Sequence, residues 1–119
     1  MDSITIIETN EDEYGYVYCL SNPSFKENIY KIGFTRQNPL VRAEKLFKSD
    51  IPTQFTVEFA KRVRNPEAKE EIIHHLLDDY KCRIEKNKTY FKCDKSLILK
   101  IFETIRGPWY EIPDICVIK

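Results

Sequence analysis

The chain has 119 residues, enough for one domain with a buried core and too few for two. Apolar residues make up 42% and charged residues 32%, which argues against a disordered chain, and no apolar run is long enough to cross a membrane. The opening residues do not resemble a secretory signal, so we expect an intracellular protein in the cytoplasm or nucleus.

The net charge is zero, but the charges are unevenly distributed along the chain. Residues 1–13 hold five acidic residues and no lysine or arginine, whereas residues 26–48 and 81–100 hold six and seven basic residues. Basic segments of this kind are compatible with a phosphate-binding surface, and an ordinary solvated surface has a similar composition. Charge therefore permits a nucleic-acid partner without requiring one.

Four cysteines are present, and none of them forms a C-x-x-C pair. Because their spacing is poor for a metal site, we expect reduced thiols. A zinc site that combines His74 or His75 with Cys82 is the weaker alternative. The cysteines are Cys19, Cys82, Cys93 and Cys116.

The first third of the chain predicts strands. Ile4–Thr9 is a short apolar stretch typical of an edge strand, and an acidic turn follows it. Tyr14–Leu20 and Ile29–Phe34 are rich in aromatic and β-branched residues, and the turn residues of Ser21–Ser24 lie between them. These two strands are expected to pair as an antiparallel hairpin.

Two Asn-Pro pairs predict helix starts, since asparagine caps a helix and proline suits its first position. Asn38-Pro39 opens a helix to about Lys48, and Asn65-Pro66 opens a second, strongly periodic one. A third strand, Phe55–Val63, lies between the two helices. The expected apolar face of the second helix comprises Ile72, Ile73, Leu76, Leu77 and Tyr80.

The last third of the chain begins with Tyr90-Phe91, a short buried segment. Asp94 then caps a final helix whose apolar stripe ends at Ile105, and residues 107–119 form a strand or a packed extension. The order β-β-α-β-α-α predicts an α+β fold, a small three-stranded antiparallel sheet flanked by helices. We expect a single domain over residues 1–119, with a core of about 14–106 and short extensions, 1–13 and 107–119.

Side chains alternate between the two faces of a strand, so the hairpin residues divide into two sets. If Val17 and Ile32 face the core, Tyr30 joins them there. Tyr18 and Lys31 then share the other face of the hairpin, which we expect to be open.

A family resemblance rests on two tracts, Gly15–Tyr18 (GYVY) and Tyr30–Gly33 (YKIG). A helical Arg42 follows them, and then the helical pair Glu71 and His75. In order and spacing the chain resembles the GIY-YIG nuclease superfamily, especially its phage and large-virus branch. That branch suggests a phage or viral origin. It also implies a three-stranded antiparallel core.

The chain departs from the family pattern at three places. Gly15 stands one residue earlier than the family name implies, and Lys31 replaces the tyrosine of the second motif. Thr89 precedes the late aromatic pair, where the branch usually has a glutamate.

The resemblance implies a metal-dependent endonuclease that hydrolyses DNA phosphodiesters, with one Mg²⁺ or Mn²⁺ ion. Tyr18, assisted by Lys31, is then expected to activate water, and Arg42 to hold the scissile phosphate. Glu71 would bind the metal ion, and His75 would orient water, metal or phosphate. Further nucleic-acid contacts are expected at Tyr16, Arg36 and Lys45.

Glu71 and His75 are four residues apart, so they lie on one face of their helix. The neighbouring apolar residues place this face at the border of the sheet rather than in open solvent. Glu70 is the alternative to Glu71 as the metal-binding carboxylate.

Two other functions stay open. A catalytically weak GIY-YIG-like module could bind nucleic acid or a protein partner, and the zero net charge and Lys31 favour it. Alternatively, the acidic N-terminus and Trp109-Tyr110 could serve a protein-interaction domain or a homodimer. RNA remains open as a substrate beside DNA, and no membrane partner is expected.

Overall fold

The computed structural model describes residues 13–47, 53–84 and 89–113. The predicted strand Ile4–Thr9 and the end of the tail lie outside these residues. Within them, the elements follow in the order β1 (Tyr14–Ser21), β2 (Ile29–Thr35), α1 (Pro39–Leu46), β3 (Thr56–Arg64), α2 (Pro66–Asp79), β4 (Tyr90–Lys92) and α3 (Lys95–Glu103). The predicted α+β class is confirmed.

The sheet has four antiparallel strands in the order β3-β1-β2-β4, so the expectation of three strands was wrong. The extra strand is β4, where Lys31 of β2 pairs with Tyr90. A strand of three residues is too short to show the alternation that predicts longer strands. Its formation depends on the neighbouring edge of β2, which the local sequence does not reveal.

The β1–β2 register confirms the predicted division of side chains. Cys19 pairs with Ile32, and both face the main core together with Val17. Tyr30 packs against the same core. Tyr18 and Lys31 therefore lie on the opposite face of the sheet, as predicted.

Helices α2 and α3 cover the first face of the sheet. The fully buried side chains there include Ile73 and Leu77 of α2, Ile98 and Phe102 of α3, and Phe91 of β4. Burial of five such side chains removes a large apolar area from water, and this is the main driving force for the fold.

The second face is covered as well, which corrects the expectation of an open hairpin face. Helix α1 places Ala43 over this face, where it packs in a second cluster with Leu20 and Tyr18. Only 2% of Tyr18 is exposed. Because both faces are covered, Tyr18 lies beneath α1 rather than on an open surface.

Helix α2 is rotated relative to the face that its apolar residues predict. Ile73 and Leu77 are buried, but Ile72 is 45% and Tyr80 62% exposed. The centre of the buried face therefore lies about 50° around the helix from the midpoint of the apolar pattern, about half the angle between successive residues. Glu70 lies beside this buried face, whereas Glu71 projects away from it and is exposed.

The helix caps are only partly as predicted. The Asn38 side chain accepts a hydrogen bond from the backbone amide of Leu40 at 2.8 Å, so this cap is confirmed. Asn65 and Asp94 occupy the N-cap positions of α2 and α3, but neither makes a side-chain cap hydrogen bond. Asn65 instead adopts a left-handed backbone conformation, with φ of 52°.

Residues 108–110, which follow α3, run along the edge of β3. Arg62 donates its backbone amide to the Pro108 carbonyl at 2.9 Å, and Tyr110 donates to the Ala60 carbonyl at 2.8 Å. These hydrogen bonds pair the otherwise exposed edge of β3.

Cys19, Cys82 and Cys93 are free thiols, as predicted, and Cys116 lies outside the described residues. Among the helices in the three described ranges, none combines the length and apolarity needed to cross a bilayer.

Candidate active site

Tyr18 lies at the centre of the candidate site, against Gly33 of the neighbouring strand. A β-carbon added at Gly33 would lie 2.5 Å from the Tyr18 hydroxyl oxygen and 2.7 Å from the ring carbon that carries it. Such distances are well inside van der Waals contact, so the tyrosine ring needs a glycine at this position. The glycine of the YKIG tract thus makes room for the tyrosine of the GYVY tract.

Arg42 of α1 reaches the Tyr18 hydroxyl from above the sheet. Burial raises the pKa of Tyr18 above its ordinary value of 10.0, and a hydrogen bond from Arg42 together with its positive charge lowers it in part. The net pKa shift is upward, so Tyr18 is a neutral phenol at pH 7. The cation that acts on Tyr18 is thus Arg42, whereas the sequence suggested Lys31.

Lys31 lies beside Thr89 and Tyr90, at the start of the aromatic pair Tyr90-Phe91. Its ammonium donates a hydrogen bond to the Thr89 hydroxyl at 3.0 Å and lies 5.0 Å from the centre of the Tyr90 ring. Burial lowers the pKa of Lys31 below 10.5, and nearby Arg42 lowers it further, while Glu70 raises it. Thr89, which stands in the place of a usual glutamate, therefore serves as a hydrogen-bond acceptor for the lysine.

Glu70, on α2, is the acidic side chain whose charge acts on both Tyr18 and Lys31. Only 16% of its side chain is exposed. Burial raises the pKa of Glu70 above 4.5, the charge of Lys31 lowers it, and Glu67 and Glu71 raise it. The net shift is upward, as expected for a carboxylate in a partly desolvated position.

His74 lies one helical turn after Glu70 and contacts the sheet directly. Its Nε2 atom is 2.9 Å from the carbonyl oxygen of Ile32 and 3.7 Å from the Glu70 carboxylate. A carbonyl oxygen only accepts hydrogen bonds, so Nε2 carries the proton in this arrangement. Burial lowers the pKa of His74 below 6.5, so the ring is neutral at pH 7.

Glu71 and His75, the pair that the sequence favoured, do not border the sheet. Both are exposed, because the buried face of α2 is centred on Ile73 and Leu77. Glu70 and His74 have the same four-residue spacing and lie on the side of the helix that faces β2. The structure thus brings together Tyr18, Lys31 and Arg42 with Glu70, and it leaves Glu71 and His75 on the outer side.

The donor set near Glu70 fits one type of metal site. No three histidine, cysteine or acidic side chains converge on a common point within the described ranges, so a closed zinc-type site is not formed there. Mg²⁺ is commonly held by one or two carboxylates, water molecules and substrate phosphate oxygens. A single half-buried carboxylate such as Glu70 fits that mode of binding.

The three predicted nucleic-acid contacts lie at different positions around the site. Tyr16 shares a sheet face with Tyr18 and packs edge-on against Tyr110, with ring centres 5.6 Å apart. Arg36 is exposed and lines a cavity after β2, and Lys45 is exposed in the last turn of α1. Tyr16 is therefore the closest of the three to Tyr18 along the sheet.

Glu70 and Thr89 are the site residues that sequence reasoning left in secondary roles. Pro66, Ile73 and Leu77 recur at intervals of seven and four residues, so they share one face of the helix. A prediction based on these three residues would have placed Glu70 on that buried face. Nothing in the local sequence around Thr89 indicates its contact with Lys31, since the two residues are 58 positions apart.

Comparison with known proteins identifies a family for the chain. The T5orf172 domain family matches residues 15–106, a range that contains every residue of the site described above. No curated protein and no solved structure matches the chain. The matched family is associated with nuclease-type domains in phage. Since the match covers well over half of its length, the chain belongs to the T5orf172 domain family.

Proposed function

We propose that this protein is a metal-dependent endonuclease of the GIY-YIG type that hydrolyses phosphodiester bonds in DNA. The observation that carries the proposal is a placement: Tyr18 and Lys31 lie on one face of the sheet, the Tyr18 hydroxyl lies over Gly33, and Arg42 of α1 hydrogen-bonds to that hydroxyl. The charge of Glu70 acts on both Tyr18 and Lys31. A phenol, two cations and a carboxylate in one place supply the groups that phosphodiester hydrolysis needs. Membership of a phage family associated with nuclease-type domains supports the same class of reaction.

In the proposed reaction, a water oxygen forms a bond to phosphorus while the bond from phosphorus to the leaving oxygen breaks. Arg42 stabilises the charge that develops on the phosphoryl oxygens, since its planar guanidinium donates paired hydrogen bonds. The same side chain already holds the Tyr18 hydroxyl, so it fixes the phenol and the phosphate relative to each other.

Tyr18 binds and orients the attacking water in this scheme. A neutral phenol both donates and accepts hydrogen bonds, so it positions the water without being ionised beforehand. The proton of that water passes to Tyr18 as the phenol releases its own proton to solvent, while Lys31, whose ammonium only donates hydrogen bonds, holds a phosphoryl oxygen. The leaving oxygen takes its proton from solvent, which balances the reaction.

Glu70 is the residue that we propose holds the metal ion, in place of Glu71. A bound Mg²⁺ or Mn²⁺ ion would supply charge stabilisation at the phosphate oxygens. We assign His74 as a positioning residue, because its hydrogen bond to the Ile32 carbonyl fixes the turn of α2 that carries Glu70.

The proposed activity is tested with supercoiled plasmid. The protein is incubated with plasmid and Mg²⁺ or Mn²⁺, and EDTA is added to a parallel sample. We expect nicked circles only in the metal-containing samples, and we expect Arg42→Ala to abolish them. Nicking that persists in EDTA, or that Arg42→Ala leaves intact, would contradict the proposed mechanism.

A second candidate function is a module that binds nucleic acid without cutting it. One observation favours it: only 2% of Tyr18 is exposed beneath α1, and burial raises rather than lowers its pKa. In that case the same assay shows no nicking with either metal, while a labelled duplex is still bound in a salt-sensitive manner.

A further inference from the structure

Basic side chains are concentrated at the end of the sheet where β3 finishes and α3 gives way to the tail. A cavity of about 560 Å³ there is lined by Tyr14 and by four cationic side chains. We call this surface the basic end; its cationic side chains are Arg62, Arg64, Lys69 and Arg106. The charge counts along the sequence did not reveal the cluster, because its members come from β3, α2 and the segment after α3.

The basic end lies in line with the candidate active site. In the β1–β3 register, Tyr14 pairs with Arg64 and Tyr16 pairs with Arg62. Residues 14, 16 and 18 of β1 point to the same face of the sheet, so this row leads from Tyr18 to the basic end. Four residues of strand span about 13 Å, a distance over which a duplex strand presents about four phosphates.

Two arginines of the basic end, Arg62 and Arg64, lie against the Tyr14 ring. The guanidinium carbon of Arg62 lies 4.5 Å from the centre of the Tyr14 ring, and that of Arg64 lies 5.6 Å from it. The two arginines thus take up the ring that could otherwise stack on a base. Arg64 also pairs with Glu13 at 2.8 Å, which is an acidic side chain at this end.

Lys69 completes the cluster from the first half of α2. Its ammonium donates a hydrogen bond to the carbonyl oxygen of Arg64 at 2.7 Å, which places its charge at the mouth of the cavity. Arg106, which is exposed, faces the same cavity from the segment after α3. Positive charges from three separate elements therefore converge on one concave surface.

We infer that the basic end binds the sugar-phosphate backbone of nucleic acid beside the scissile phosphate, without reading its sequence. The inference rests on the proposed function, because it takes Tyr18 and Arg42 to mark the position of the scissile phosphate. Phosphate contacts of this kind position a substrate, and they make binding salt-dependent and uniform across sequences.

The test compares two double variants that each remove two positive charges. Lys69→Ala/Arg106→Ala changes the basic end, and Lys92→Ala/Lys100→Ala changes exposed lysines that line a different cavity, beside Leu97. Thermal unfolding first establishes that both variants are folded. Binding of a labelled 30-base-pair duplex is then measured by fluorescence anisotropy in EDTA, over a range of salt concentrations and with two unrelated sequences.

We expect the basic-end variant to bind about tenfold more weakly at 0.1 M salt, with both sequences affected equally. The logarithm of the association constant decreases linearly with the logarithm of the salt concentration. The steepness of this decrease should be smaller by about 0.9 for each phosphate that the variant no longer neutralises. A decrease in affinity that equals that of the control variant, or that differs between the sequences, would overturn the inference.

Cleavage assays separate this inference from the proposed function. If the wild type binds the duplex through the basic end but never nicks plasmid, the nuclease proposal fails and the binding site stands. If the wild type nicks plasmid and the basic-end variant nicks it with unchanged KM, the nuclease proposal stands and the inference fails.

Discussion

The phenol ring of Tyr18 lies across Gly33, so close that a β-carbon at Gly33 would fall 2.5 Å from the tyrosine hydroxyl oxygen. Each of these residues belongs to one of the two tracts by which the chain resembles nucleases. Their relationship is steric: the glycine is needed because the tyrosine occupies the volume of its missing side chain. The two tracts are thus joined by packing at the point where the hydroxyl meets Arg42.

This packing predicts the effect of Gly33→Ala. The added methyl group displaces the Tyr18 ring, and we expect the free energy of unfolding to fall by about 1–3 kcal/mol. Cleavage should fall as well, since the hydroxyl moves away from Arg42. Urea denaturation measures the first effect and plasmid nicking the second.

A double-mutant cycle with Tyr18→Ala isolates the cause. If the cost of Gly33→Ala comes from the tyrosine ring, the same substitution should cost little in the Tyr18→Ala background. An equal cost in both backgrounds would instead indicate that the β2 backbone itself requires glycine.

The raised pKa of Glu70 predicts how its replacement changes stability with pH. Its folded-state pKa lies above the ordinary value of 4.5, so folding favours the protonated form. The stability that the fold gains by keeping Glu70 protonated is fully present below pH 4.5. It is lost as the pH rises through the folded-state pKa of Glu70. At pH 7 the ionised carboxylate therefore destabilises the fold.

Glu70→Gln, which is neutral at every pH, should accordingly have a higher Tm than the wild type at pH 7. The difference should shrink at pH 4, where the wild-type residue is protonated. Thermal unfolding at both pH values measures it. A lower Tm for Glu70→Gln at pH 7 would show that interactions of the carboxylate outweigh its desolvation.

Arg42→Lys separates the charge of the residue from its geometry. Lysine keeps the positive charge but lacks the planar fork that contacts two acceptors at once. We expect the cleavage rate to fall by about 10²–10³-fold, as for the removal of one aligned donor at a transition state. Single-turnover kinetics on plasmid check this, and a rate within a few-fold of the wild type would mean that charge alone is sufficient.

Lys61 predicts a stability effect remote from the candidate active site. It is only 5% exposed, and its ammonium donates hydrogen bonds to the carbonyl oxygens of Phe102 and Ile105 at 2.8 and 2.6 Å. Lys61→Met removes this donor from both carbonyls. The Phe102 carbonyl keeps the hydrogen bond from the Ile105 amide at 3.0 Å, so the main loss is at Ile105. The change should cost about 1–3 kcal/mol. Lys92→Met, at an exposed position, is the matched control, and equal urea midpoints for the two variants would contradict the prediction.

The sequence predicted the parts of the fold that periodicity encodes. The hairpin strands, the faces of Tyr18, Lys31 and Tyr30, and the start of α1 at Asn38 agree with the structure, because alternation and capping are local properties. The strand β4 was missed, since three residues carry no period and their pairing with β2 is a long-range interaction.

The choice between Glu70 and Glu71 was a different kind of error. Both neighbours precede a histidine by four residues, so the spacing to histidine does not separate them. The helical period does: at about 100° per residue, Glu71 projects almost opposite the centre of the predicted apolar set, whereas Glu70 lies about 90° from it. The periodicity of α2 therefore already favoured Glu70 over Glu71, and in the structure Glu71 and His75 are exposed.

Plasmid nicking by Glu70→Gln and Glu71→Gln tests the central claim most directly. The two variants remove the same charge from adjacent positions of one helix, so each is the control for the other. We expect Glu70→Gln to abolish Mg²⁺-dependent nicking while it remains folded, and Glu71→Gln to nick at close to the wild-type rate. Nicking by Glu70→Gln, or its disappearance only in Glu71→Gln, would contradict the site as described.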